Sequence, residues 1–114
     1  MNTLKLDITE LEIDEQENKI SQRDYDKYFE YNETFKSQII LPPNAQYSTI
    51  TFSEVTNPFS LIIISDKLID VNVNGFEIKG TKMILLNTEI SSLQIKNVDL
   101  ASAVVSVYIW GKSV

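Results

Sequence analysis

The sequence predicts an all-β protein, an antiparallel β-sandwich or jelly-roll-like fold of about eight strands, with a short helical turn near residues 22–28. Short runs in which apolar and polar residues alternate recur along the chain, at the spacing that is typical of sandwich strands. Turn-forming residues separate these runs. In the main part of the chain the predicted strands are Ser48–Ser53, Ser60–Ser65, Ile69–Val73, Phe76–Lys79, Lys82–Leu86, Ser92–Lys96 and Ser102–Trp110.

Residues 4–13 predict a first strand with one solvated, acidic face. Leu4, Leu6 and Ile8 alternate with polar residues, and the alternation slips by one position before Leu11, which predicts a bulge or a bend. Two interpretations are open: an edge strand whose charges prevent aggregation, or an arm that docks on a neighbouring subunit's sheet edge. Leu4, Leu6 and Ile8 are candidate interface residues in the second interpretation.

An aromatic segment follows a polar stretch at residues 14–22 that predicts a loop. Tyr25, Tyr28 and Phe29 have the i, i+3, i+4 spacing of one helical face, which predicts the short helical turn, followed by extended chain. These aromatic residues are candidates for core lining or subunit contact. Stacking on sugars is the alternative, because aromatic rings offer large flat faces.

Prolines and an Asn-Gly pair delimit the central strands. Thr34–Leu41 predicts a strand that Pro42 and Pro43 end, because proline cannot donate to the ladder. The run from Leu61 to Ile64 is apolar on both faces, as in a central strand that is covered on both sides. Asn74 and Gly75 predict a two-residue type I′ hairpin.

The last predicted strand has two largely apolar faces. Ala103, Val105, Val107 and Ile109 share one face. A monomer would not need a second apolar face, and large amphipathic aromatic residues are favoured at protein interfaces. Simple packing and ligand stacking are the alternatives. The candidate interface residues of the second face are Val104, Ser106, Tyr108 and Trp110.

The charge is concentrated in the first third of a chain whose length suits one domain. Of the net charge of −6, all lies in residues 1–33, which carry ten acidic and four basic side chains, while residues 34–114 carry six of each. Residues 1–33 are therefore expected to form an acidic arm and loop, and residues 34–114 the sandwich core. The absence of a basic stripe argues against nucleic-acid binding.

Composition excludes most catalytic chemistry. The chain has no Cys and no His, which removes thiolate sites, the commonest zinc ligand and the usual general base. Three glycines are too few for a P-loop or dinucleotide fingerprint. We therefore expect no enzyme activity, cofactor or metal. No apolar run spans a membrane, and no signal-peptide core opens the sequence, so assembly in the cytoplasm is expected.

The second half of the chain shows an ordered set of features. An alternating strand ends in Phe52-Ser53-Glu54-Val55-Thr56, and an aliphatic run with an acidic turn follows at residues 61–66. The Val71–Gly75 hairpin comes next, and then the strands Met83–Leu86, Ser92–Asn97 and Ala103–Gly111. This order resembles a family of small virion proteins of tailed bacteriophages. The resemblance implies a β-sandwich accessory or connector component of the virion, with no active site.

Three functional hypotheses follow. The first is a phage structural protein, a homo-oligomer or a partner of capsid, portal, neck or tail proteins, located in the virion. The second is a carbohydrate-binding or receptor-binding module that uses Tyr25, Tyr28, Tyr31 or Trp110 to hold a glycan. The third is an inhibitor or regulator made by a mobile element, whose acidic first third mimics nucleic acid.

Overall fold

The computed structural model describes residues 1–113 and confirms the all-β prediction, since these residues form eight strands and no helix. All paired strands are antiparallel. The strands are β1 (Asn2–Ile13), β2 (Lys19–Tyr31), β3 (Glu33–Leu41), β4 (Ser48–Thr49), β5 (Pro58–Val73), β6 (Phe76–Asn87), β7 (Leu93–Asn97) and β8 (Ala103–Gly111).

The chain divides into two compact units. The hairpin unit, Met1–Tyr31, contains β1 and β2 as a two-stranded sheet. The sheet unit begins at Asn32 and contains the other six strands. Asn32 is held at the start of this unit, because its backbone N–H donates to Gly111 O at 3.1 Å and its side-chain Nδ2 donates to Ser113 Oγ at 2.9 Å.

The predicted helical turn near residues 22–28 is wrong, because β2 covers that segment. Residues 2–12 of β1 pair in unbroken register with β2, and this ladder satisfies the backbone groups that a helix would have satisfied internally. The expected bulge between Ile8 and Leu11 is also absent: the register shifts only between Glu12 and Ile13. The slip in alternation instead places Ile8 and Leu11 on opposite faces of one straight ladder.

The connection between β1 and β2 is shorter than the predicted loop. Lys19 already belongs to β2, so the connection is Asp14–Asn18. The Asp14 carboxylate accepts hydrogen bonds from the backbone N–H groups of Gln16 and Asn18, each at 2.9 Å. These bonds hold the pKa of Asp14 below its usual value, the bond from Asn18 contributing most. Glu17 has a positive φ of 65°, which completes the reversal.

The sheet unit is one curled sheet with strand order β3-β8-β5-β7-β4, in which β6 also pairs with β5. The predicted strands Ser60–Ser65 and Ile69–Val73 are a single strand, β5. Its first half pairs with β8 and its second half with β7, and its register with β6 shifts between Ile64 and Val71. Such irregularities bend a strand, which lets β5 take part in both halves of the sheet.

The β5–β6 turn lies at the predicted residues, with the backbone conformation that was expected of them. Asn74 and Gly75 have positive φ values of 54° and 88°, as a type I′ hairpin requires. The predicted strands Phe76–Lys79 and Lys82–Leu86 are joined into β6 through Gly80, whose φ is 63°.

The hydrophobic core lies in the sheet unit and combines residues from both halves of the sheet. The first of the two apolar faces of β8, from Ala103 to Ile109 in steps of two, is fully buried. Removing a Val, Leu or Ile side chain from water contributes roughly 1.5–3 kcal/mol each. Other members of the cluster are Val55, Leu61, Ile63, Ile69, Val71, Val73, Ile84, Ile90, Leu93 and Ile95.

Candidate functional site

The second face of β8 forms part of a larger surface, which we call the outer face. Tyr108 pairs with Lys36 on β3 and with Ile62 on β5, and Ile62 pairs with Leu85 on β6. Because paired residues of adjacent strands point to the same side, four strands contribute to this face. Its residues are Thr34, Lys36, Gln38 and Ile40 of β3, Val104, Ser106, Tyr108 and Trp110 of β8, Ser60, Ile62 and Ile64 of β5, and Met83, Leu85 and Asn87 of β6.

Large apolar side chains of the outer face are exposed. Ile40 exposes 72% of its surface, Met83 63%, Ile64 49% and Val104 37%. A single exposed apolar residue is ordinary, but a contiguous patch of them marks an interaction surface. The outer face is therefore the main candidate site of the sheet unit.

The four candidates on β8 share this face but differ in exposure. Val104 is exposed, while Ser106 and Tyr108 are half-buried. Trp110 exposes 7% of its surface, and its ring stacks on Tyr108 with centroids 6.2 Å apart. Trp110 pairs with Ser60, which is fully buried and whose Oγ has no hydrogen-bond partner among residues 1–113. The indole is thus packed within the protein and does not offer an open ring face.

The hairpin unit gathers five of its six candidates on one face. Leu4 pairs with Phe29 and Ile8 with Tyr25, and Leu6 has the same parity. Tyr28 lies on the opposite face, where it pairs with Lys5, whose Nζ is 5.7 Å from the centroid of the Tyr28 ring. The helical spacing would place Tyr28 on the same face as Tyr25 and Phe29. In a strand, successive residues point to opposite faces, so Tyr28 is separated from the other two.

The same face as Tyr28 carries a pair of facing carboxyl groups. Asp7 and Asp26 are directly opposite each other, an arrangement that is unfavourable when both are ionised. A hydrogen bond with Asp7, and then the negative charge of Asp7, raise the pKa of Asp26 above its usual value. The same hydrogen bond, with a contribution from Lys5, lowers the pKa of Asp7. Lys5 Nζ lies 3.5 Å from Asp7 Oδ1.

A groove that the sequence did not reveal lies at the β4 end of the sheet unit. We call it the hydroxyl groove; it has a volume of about 520 Å³, in the range of small-ligand sites. Residues 49–53 and 91–94 supply most of its lining, and Val55, Asn72 and Gly75 complete it. The predicted strand Ser48–Ser53 ends early, because β4 comprises only Ser48–Thr49.

The hydroxyl groove is held in shape by Asn74. Its Oδ1 accepts hydrogen bonds from Ser91 N at 2.7 Å, Ser91 Oγ at 2.9 Å and Ser92 N at 3.2 Å, and its Nδ2 donates to Glu89 O at 2.7 Å. A backbone hydrogen bond joins the two lining segments, since Ile50 N donates to Leu93 O at 2.9 Å. One turn residue therefore fixes the loop that forms one side of the groove.

Residues 1–113 contain no group of three or more Asp, Glu, His or Cys side chains placed to hold a metal ion. In the same range there is no helix long and apolar enough to cross a membrane. The candidate sites are therefore the outer face, the two faces of the hairpin unit and the hydroxyl groove.

Neither models of known protein families nor curated proteins match this sequence.

Proposed function

We propose that this protein is a non-enzymatic structural subunit of a tailed-phage particle, which assembles with copies of itself and with capsid, neck or tail neighbours. The observation that carries the proposal is the exposed apolar outer face, formed by Ile40, Ile64, Met83 and Val104 on four adjacent strands. The assignment to a virion is supported by the resemblance of residues 50–111 to small virion proteins of tailed bacteriophages.

The outer face suits permanent contact because it exposes large apolar side chains on paired strands. Interface cores are depleted of charged residues; Lys36 is the charged residue of the outer face as defined above, and the Asp66 carboxylate lies beside this face, where it accepts a hydrogen bond from Val104 N at 2.8 Å. Symmetric assembly repeats such a contact in every subunit. A ring or trimer would therefore gain stability from a patch that is small in one copy.

The hairpin unit supports the same proposal. An isolated two-stranded hairpin is marginally stable in water, yet this one exposes Leu11, Ile13, Ile20 and Tyr28. Among the described residues its sheet comprises β1 and β2, and the edge of a two-stranded sheet is the kind of element that β-augmentation by a neighbouring subunit uses. An arm of this kind gains partners on assembly.

The test is the mass of the purified protein in solution. Light scattering coupled to size-exclusion chromatography is expected to give a mass that is a multiple of the 13.0 kDa chain. The double variant Ile40→Asp with Met83→Asp places two charges on the outer face and is expected to shift the protein to monomer. Both side chains are exposed, so the fold should tolerate the changes.

The matched control is Leu100→Asp, because Leu100 is apolar and 99% exposed but lies outside the outer face. This variant is expected to keep the wild-type mass. An unchanged mass in the double variant would contradict assembly through the outer face. The virion assignment is tested separately, by mass spectrometry of purified phage particles, and the protein's absence from them would contradict it.

A further inference from the structure

We propose that the hydroxyl groove is a binding site for a neutral saccharide. This inference does not depend on the proposed structural role, because the groove and the outer face are different surfaces of the sheet unit. The carbohydrate hypothesis drawn from the sequence relied on Tyr25, Tyr28, Tyr31 or Trp110. The groove contains none of these residues.

The lining of the groove is uncharged. None of its twelve residues is Asp, Glu, Lys or Arg, although 23% of the chain is charged. A site for a phosphate, a carboxylate or an ammonium group would need a counter-charge or convergent donors. The ligand that this lining suits is therefore neutral.

The groove combines an apolar floor with a polar rim. Val55 and Leu93 are buried at its base, and Ile50 and Phe52 are half-buried. The exposed rim consists largely of hydroxyl-bearing side chains, Thr49, Thr51, Ser53, Ser91 and Ser92.

This combination matches the surface of a pyranose ring. One side of the ring offers C–H groups that pack on an aromatic or aliphatic surface, and its edge carries hydroxyls that donate and accept. Ser and Thr hydroxyls also donate and accept, and Asn and Gln amides supply both donors and an acceptor.

Several rim groups are available to a ligand. The side-chain hydroxyls of Thr51, Ser53 and Ser92 have no hydrogen-bond partner within residues 1–113. Gln94 Nε2 is 3.5 Å from Thr49 Oγ1, a long contact that a ligand hydroxyl could replace. By contrast, Asn72 Oδ1 and Asn74 Oδ1 accept bonds from the backbone of the surrounding turns. The structural amides thus fix the frame, and the hydroxyls remain for recognition.

The frame is preformed, which reduces the ordering cost of binding. Asn74 bonds to residues 89, 91 and 92, and Phe52 packs against the core. Because the groove is open and its ligand neutral, we expect weak binding of single sugars, with a Kd of about 1 mM. Oligosaccharides that fill more of the groove should bind more tightly.

The experiment is an NMR titration of the full chain with glucose, galactose, N-acetylglucosamine and their neutral oligomers. Binding is expected to shift the backbone amide signals of residues 49–53 and 91–94. Phe52→Leu keeps an apolar side chain on the core but removes the ring, and Thr51→Val with Ser92→Ala removes two rim hydroxyls. Each variant should raise the Kd by about tenfold, with the amide spectrum of the folded protein as the check on structure.

The control variants are Tyr28→Leu, which removes an exposed ring of the hairpin unit, and Ser102→Ala, which removes a hydroxyl from a connection outside the groove. Both should bind like the wild type. Absence of shifts with every neutral sugar would overturn the proposal. So would shifts confined to N-acetylneuraminic acid, or shifts caused by an uncharged Ser/Thr/Val decapeptide but by no sugar.

Discussion

The carboxylate of Asp70 on β5 accepts a hydrogen bond from the backbone N–H of Gly80 on β6, at 2.8 Å. This bond spans the region where the β5–β6 register shifts and where Gly80 has a positive φ. The other carboxylate oxygen lies 3.7 Å from Lys96 Nζ on β7, and Lys96 in turn lies over the Tyr47 ring at 4.7 Å. Asp70 is 7% exposed, so a single buried carboxylate connects β5, β6 and β7.

Replacing Asp70 should separate its two roles. Asp70→Asn keeps an oxygen acceptor for Gly80 N–H but removes the charge that faces Lys96, and we expect a loss of about 1 kcal/mol in the free energy of unfolding. Asp70→Ala also leaves the Gly80 amide without its acceptor and should cost roughly 2–4 kcal/mol. Urea unfolding measures both, with Glu54→Gln as a control at an exposed acid of the sheet unit. Equal losses in the two variants would show that the Gly80 bond contributes nothing.

Asn97 closes β7 with a buried amide whose three bonds are all internal. Its Nδ2 donates to Leu41 O at 2.8 Å and to Ala101 O at 2.9 Å, and its Oδ1 accepts from Asp99 N at 2.9 Å. Asn97→Leu is similar in volume but leaves two carbonyls and one N–H unpaired, so the expected loss is about 3 kcal/mol. Asn97→Asp keeps the acceptor, loses both donors and places a charge beside two carbonyls.

Thermal unfolding of Asn97→Leu and Asn97→Asp tests this account. Asn97→Asp should be restored in part at low pH, because a protonated carboxyl regains one donor. A Leu variant as stable as the wild type would mean that these bonds contribute no net stability. Asn2→Leu, at an exposed asparagine of β1, provides the control for the hydrophobic substitution itself.

Local signals predicted much of this fold because they act over two to ten residues. The Asn74–Gly75 turn, the buried alternation of Ala103–Ile109 and the proline end of β3 each depend on neighbouring residues alone. The prediction of a helical turn in the aromatic segment was wrong for the opposite reason, because a distant strand determines its structure. Tyr25, Tyr28 and Phe29 fit both a helical and an alternating period, and only the ladder with β1, about twenty residues earlier, decides between them.

The candidate sites also differ in how far local sequence patterns predict them. The outer face could be anticipated on β8 because one strand showed two apolar faces, but its extension over β3, β5 and β6 depends on register, which no local pattern contains. The hydroxyl groove brings residues 49–53 against residues 91–94. The alternation of Ser48–Ser53 predicted a strand there, whereas the chain leaves the ladder after Thr49 and lines the groove.

Gly111 at the end of β8 should not tolerate a side chain. A Cβ at this position would clash with Val55 Cγ1 and would lie 2.7 Å from Asn57 O. Asn57 O also accepts a hydrogen bond from Lys112 N at 3.3 Å, so the backbone there cannot move away without losing a bond. We expect Gly111→Ala to reduce the free energy of unfolding by roughly 1–3 kcal/mol through overpacking.

The double variant Gly111→Ala with Val55→Ala tests the cause. Val55 is buried, so Val55→Ala alone is destabilising. If overpacking is the cause, the two changes together should cost less than the sum of the single changes, since the smaller side chain makes room for the new methyl group. A strictly additive result in chemical denaturation would contradict the clash with the Val55 side chain as the cause.

The facing carboxyl groups of Asp7 and Asp26 predict how the stability of the hairpin unit depends on pH. The pKa of Asp26 is raised, so its contribution is complete below its unfolded pKa and is lost as the pH rises through the folded pKa. The pKa of Asp7 is lowered, so its contribution is complete above its unfolded pKa and is lost as the pH falls through the folded pKa. The pair therefore stabilises the hairpin most between the two folded pKa values, where one proton is shared.

Asp26→Asn should remove the loss on the high-pH side, because an amide donates to the Asp7 carboxylate at every pH. Lys5 and Asp24 face the pair from the same side of the ladder, so Asp24→Asn is the control: it removes a negative charge from that face but leaves the shared proton in place. Carboxyl ¹³C titrations and amide hydrogen exchange of residues 2–31 measure the pKa values and the hairpin opening. If Asp26→Asn and Asp24→Asn flatten the pH dependence equally, general charge repulsion and not the shared hydrogen bond governs it.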